Sequence, residues 1–163
     1  MIYFKAIIKE QTQTEFGIVP KSQEYYIPAT NYEKSEKIFK ELIKKELICI
    51  GCLGDGEGNK VFEIKKILKE EISDVVGDDS ECYYKIIVRF SVESDDKSTK
   101  TSNTNMYVSA EDAKEAFEKV TEFIKVGGYL CDHEIVSIVK KDKIKTIFKT
   151  NDEDYVEVTK NIV

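Results

Sequence analysis

The chain has 163 residues, with 25 Lys and Arg against 31 Asp and Glu, a formal charge of −6, and 41% hydrophobic and 34% charged content. A chain of this length buries roughly two thirds of its unfolded surface, so a core forms without disulfides or metals, and the composition excludes long disorder. No apolar run approaches the ~18 residues of a membrane span, and Met1 to Lys5 carries no basic region leading into an apolar signal stretch.

The four cysteines suit a reducing compartment, and the expectation is a soluble protein of the bacterial cytoplasm that contacts no membrane. Arg89 is the only arginine and His133 the only histidine. Bidentate phosphate chemistry and His-centred triads therefore have little to work with, and no enzyme is expected.

The elements are read along the chain against an internal repeat. Tyr3-Phe4-Lys5-Ala6-Ile7-Ile8-Lys9 recurs as Tyr83-Tyr84-Lys85-Ile86-Ile87-Val88-Arg89, and Tyr26-Ile27-Pro28-Ala29 as Tyr107-Val108-Ser109-Ala110. The run from Phe62 to Lys69 recurs as His133 to Lys140, in the same order.

The first strand puts Phe4, Ala6 and Ile8 on one face and Tyr3, Lys5, Ile7 and Lys9 on the other. A polar stretch from Gln11 to Ser22 reads as a long, mobile hairpin connection before the second strand. Thr30 with Glu33 marks a helix start, and Ile38, Phe39, Leu42 and Ile43 form its apolar stripe. The third strand begins at about Val61.

The second repeat follows the same plan. Tyr84, Ile86, Val88 and Phe90 face the core, with Tyr83, Lys85, Ile87 and Arg89 opposite, and Ser91 to Asn105 reads as the connection. Ser109 with Asp112 marks the helix start, Ala113 to Ile124 carries the stripe, and Gly127-Gly128 ends it. A strand from about Glu134 closes the repeat, and the acidic tail from Thr150 is expected to fray.

The fold class expected is α+β, an internal duplication of a β-β-α-β unit with antiparallel sheets, each with one helix on one face. The expected domains are 1–78, 79–149 and a C-terminal tail of 150–163. The runs Tyr83 to Val88, Thr101-Ser102-Asn103, Met106 to Ala110, Lys114 to Phe117 and Glu134 to Ile138, with their counterparts in the first half, resemble an uncharacterised domain-of-unknown-function family. That family is found in Bacteroides-type bacteria and their phages. The resemblance spans nearly the whole chain and implies a duplicated α+β fold in a phage or mobile-element setting; it carries no catalytic residues.

Gly51 to Lys60 lacks the G-x-x-x-x-G-K-[ST] spacing and follows a helix, so it reads as a flexible connector and not a phosphate loop. Cys49-x-x-Cys52, with Cys131 and His133 at the equivalent position of the other repeat, would make a tetrahedral zinc site if those connections met. The plainer reading of Cys49 is a small buried hydrophobe, and no cofactor is expected. The acidic pairs Asp78-Asp79 and Asp95-Asp96, with Asp152 to Asp154, fall in polar connections and read as solvated surface.

The most suggestive pattern is the aromatic-basic-aliphatic-basic order of Tyr3, Lys5, Ile7, Lys9 and of Tyr83, Lys85, Ile87, Arg89. Rings on a sheet stack bases while lysines follow the backbone, and Lys65 and Lys140 on the third strands add charge. The competing reading buries this face against the other repeat or a second copy, which Ile7 and Ile87 favour. The functional expectation is a non-catalytic phage or mobile-element protein that binds single-stranded nucleic acid in replication or processing. The alternative is an interaction or anti-defence factor that captures a host protein or a small nucleotide signal; a homo-oligomer is compatible with either.

Overall fold

The computed structural model describes residues 2–45, 47–48, 62–78, 82–129, 131–160 and 162, with side chains described for all of these except 10–14, 18, 62 and 63. The protein is α+β, and its described residues form two four-stranded sheets and three helices. It divides into two compact units, one made of Ile2–Glu70 with Lys143–Val163, the other essentially of Glu71–Asp142.

In the first unit, β1 (Ile2–Thr14) and β2 (Gly17–Pro28) pair antiparallel from Tyr3 opposite Pro28 to Thr14 opposite Gly17. The stretch expected to be a connection is therefore mostly strand, closed by a two-residue turn at Glu15 and Phe16. Glu15, Phe16, Gly17, Val19, Pro20 and Lys21 are exposed, and no apolar alternation marks the stretch as strand in the sequence. β3 (Phe62–Glu71) and β8 (Ile144–Ile147) complete the sheet in the order β3-β1-β2-β8.

Helix α1 (Tyr32–Lys44) buries Ile38, Phe39 and Leu42 against Phe4, Ala6, Ile8 and Ile27. Its cap is Asn31, one residue later than expected, whose side-chain oxygen accepts from the Lys34 N–H at 2.8 Å. The C-terminal segment is not a frayed tail. Helix α3 (Glu153–Thr159) inserts Tyr155 and Val158 into the same core, and the Tyr155 hydroxyl donates to the carbonyl of Pro28.

In the second unit, β5 (Cys82–Glu93) and β6 (Thr99–Ala110) pair antiparallel from Cys82 opposite Ala110 to Glu93 opposite Thr99. With β4 (Asp74–Val76) and β7 (Asp132–Lys141) they form the order β4-β6-β5-β7. Helix α2 (Ala113–Val126) buries Ala116, Val120 and Ile124 against Ile86, Val88, Met106 and Val108. Its cap is Asp112, not Ser109: the Asp112 carboxylate accepts from the Glu115 N–H, and the Glu115 side chain reaches back to the Glu111 N–H. Ser109 is held in the β6 ladder opposite Tyr83. Gly128, at φ +68, lets the chain turn out of the helix where a side chain would be strained.

The two sheets repeat each other strand for strand, with β3 matched to β7, β1 to β5, β2 to β6 and β8 to β4. Both are mixed and not antiparallel, because β8 runs parallel to β2 and β4 parallel to β6. β4 follows β3 along the chain but pairs in the second sheet, and β8 follows β7 but pairs in the first. Each repeat lends its last short strand to the other, an exchange of backbone hydrogen bonds that no side-chain pattern records.

Candidate nucleic-acid interface

The pleat of β1 carries Tyr3, Lys5, Ile7 and Lys9 on the face opposite α1, because Phe4, Ala6 and Ile8 are committed to the helix. In the register of β1 with β2, Lys5 stands opposite Tyr26 and Ile7 opposite Glu24. The Lys5 ammonium lies 5.9 Å from the centre of the Tyr26 ring and 3.5 Å from Glu24 Oε1. The Tyr26 hydroxyl donates to Glu70 Oε2 on β3 at 3.2 Å. The first unit thus has a chain of polar contacts across three strands, from Glu24 through Lys5 and Tyr26 to Glu70.

The second unit repeats the arrangement. Lys85 stands opposite Tyr107 with its ammonium 6.0 Å from the ring centre. Farther along β5, the Arg89 Nε–H donates to Asn103 Oδ1 at 3.3 Å, and Nη1 lies 3.8 Å from Glu134 Oε2 on β7. Lys9, at the position matching Arg89, is half-buried like it.

The rings meant to stack bases are not on the surface. Tyr3 is 5% and Tyr83 2% exposed, and their neighbours Tyr26 and Tyr107 are each 1% exposed. These four tyrosines stand outside the helix-facing clusters and are nonetheless buried. Lys5 and Lys85 are half-buried, their stems running along the tyrosine rings.

Lys65 on β3 and Lys140 on β7 are exposed. The Cys82 sulfur and the Asp142 carboxylate beside Lys140 raise its affinity for the proton, so it keeps full charge. Within each unit the structure therefore brings the basic residues onto one sheet, and it leaves them without an accessible ring from Tyr3 or Tyr83.

The zinc reading is divided. Cys49 and Cys52 lie outside the described residues, as does the glycine-rich connector that follows them. Cys131 is half-buried against the second core, and His133 is exposed opposite Phe90, its ring 6.4 Å from that ring. Among the described residues, no group of three or more His, Cys, Asp or Glu stands close enough to hold a metal.

The perturbed carboxylates belong to surface hydrogen bonds. Lys37 holds Glu33 below its ordinary range and Lys119 does the same to Glu115, each one helical turn away. The hydroxyls of Ser94 and Ser98, with the Ser98 N–H, bring Asp96 down to about 2.

Two features escaped the sequence. Tyr26 and Tyr107 were visible as a repeat, and that repeat was the available signal, but their place opposite Lys5 and Lys85 depends on hairpin register. Tyr129 stacks on Phe90 at 5.1 Å and 17°, a contact made only once Gly127 and Gly128 have turned the chain. No helix is long and apolar enough to cross a membrane, among the described residues.

No curated protein matches the chain. The model of a domain of unknown function, DUF4494, matches residues 2–151, which is most of the chain from the start of β1 to the approach to α3. The chain belongs to that family.

Proposed function

We propose that the protein is a non-catalytic binding protein that grips single-stranded nucleic acid by its phosphate backbone, in replication or processing within Bacteroides-type bacteria or their phages. The observation that supports this reading is the repetition of basic groups at matching pleat positions. Lys5 and Lys9 on β1 recur as Lys85 and Arg89 on β5, each only half-buried. Evenly spaced cations on a sheet suit the regular charge of a strand.

The buried tyrosines shift the chemistry from base stacking to charge, so the grip is insensitive to sequence. It also depends on local segregation of basic residues, given the overall charge of −6.

Fluorescence anisotropy with single- and double-stranded oligonucleotides at about 50 and about 200 mM salt tests this. Binding that prefers single strands and weakens as salt rises is expected. Combining Lys9→Glu with Arg89→Glu should weaken it by on the order of tenfold or more and flatten the salt slope. Absent or salt-independent binding overturns the reading.

One observation favours a second reading, capture of a host protein or a small nucleotide signal in countering host defence. Phe16, in the β1–β2 turn, is 93% exposed. A ring so displayed is a natural anchor for a partner's pocket. Capture with tagged full-length protein should return a stoichiometric partner or a co-purifying nucleotide, and Phe16→Ser should lose a protein partner.

A further inference from the structure

β7 ends the second sheet, and its outer edge carries no strand among the described residues. It is ten residues long, with Val136 43% and Val139 49% exposed. An open edge of this kind offers unpaired N–H and C=O groups to another chain unless something covers it.

The sequence of β7 is complementary to itself. It opens with Asp132 and Glu134 and closes with Lys140 and Lys141, so an antiparallel copy sets acid against base at both ends. In sequence β3, the matching strand, is acidic at both ends, with Glu63 at one and Glu70 and Glu71 at the other; the same operation there sets like charges together.

The faces agree as well, because of a bulge. Ile87 pairs with Ser137 but Val88 pairs with Ile135, which leaves Val136 as the extra residue. In a regular strand, a two-fold axis between two adjacent residues would pair side chains from opposite faces. With the axis between Val136 and Ser137, the bulge restores the match. Asp132 and Lys141 then oppose each other on the face that they share, as partners of Ser91 and Tyr83. Ile135 opposes Ile138, and both pack on the helix-facing core.

We propose that β7 is the seam of a two-fold homodimer, pairing antiparallel with β7 of a second copy so that two four-stranded sheets run on as one. The contact is a single strand pair, smaller than the ~1,200 Å² of a standard interface, so association in the micromolar range is expected. Asp132 and Lys141 of each copy set its register and make it weaken with salt.

Sedimentation equilibrium of the full-length protein, without nucleic acid, from about 1 to about 300 μM brackets such a contact. The expected result is a monomer–dimer equilibrium weakened at least tenfold by either Asp132→Lys or Lys141→Asp, each leaving the circular dichroism spectrum unchanged. Combining the two exchanges the charges and should restore the dimer. A monomer throughout the range overturns the proposal, as does a dimer indifferent to both single substitutions or one that the double substitution fails to restore.

Discussion

The ammonium of Lys5 stands 5.9 Å from the centre of the Tyr26 ring, and the same pair recurs in the second unit as Lys85 and Tyr107 at 6.0 Å. Both pairs arise because the two hairpins have the same register, with Lys5 opposite Tyr26 and Lys85 opposite Tyr107. A lysine on a half-buried sheet face keeps its charge at lower cost when an aromatic face takes part of the place of water.

The repeated pair should therefore be energetically coupled. Double-mutant cycles with Lys5→Met and Tyr26→Leu, and with Lys85→Met and Tyr107→Leu, should each give a favourable coupling of about 0.5–1 kcal/mol by urea unfolding. Coupling near zero in both cycles would reduce the arrangement to packing alone.

Tyr155 ties α3 to the first core through its hydroxyl on the Pro28 carbonyl. Tyr155→Phe keeps the ring and leaves that carbonyl without this donor, at a cost of about 1 kcal/mol in denaturant unfolding. Burial also raises the pKa of the phenol above its ordinary value. The folded state holds the proton more tightly, so the Tyr155 contribution is complete below the unfolded value near ~10 and declines as pH rises through the folded one. Ultraviolet titration should show Tyr155→Phe losing a late-titrating tyrosine.

Asp96 organises the β5–β6 turn through Ser94 and Ser98. With its pKa held down at about 2, the contribution to the turn is complete above the unfolded value of ~3.9 and is lost as pH falls through about 2. Side-chain carboxyl NMR should place the Asp96 midpoint well below the ordinary carboxylate range. Ser94→Ala, removing the largest cause, should move it up toward ~3.9.

Much of the fold is written in local patterns. The alternation of Phe4, Ala6 and Ile8 marks a strand, and the stripe from Ala116 to Ile124 followed by Gly127-Gly128 marks a helix and its end. Both periods follow from backbone geometry within a few residues. The N-caps were displaced because Thr30, Asn31, Ser109 and Asp112 are all competent caps, and the choice depends on where the preceding strand leaves its ladder. The hairpin arms read as loops because their sequences are mostly polar and carry no apolar alternation.

The sequence by itself determined the repeated pattern, the central strands and the two long helices, and which of their residues share a face, since these depend on neighbours along the chain. Tertiary structure alone decided that Tyr3 and Tyr83 are buried, that β4 and β8 pair in each other's sheets, and that the acidic tail folds as α3 over Pro28. Those outcomes rest on contacts between residues far apart in sequence, and they are decided by how much apolar surface and how many backbone hydrogen bonds each pairing satisfies.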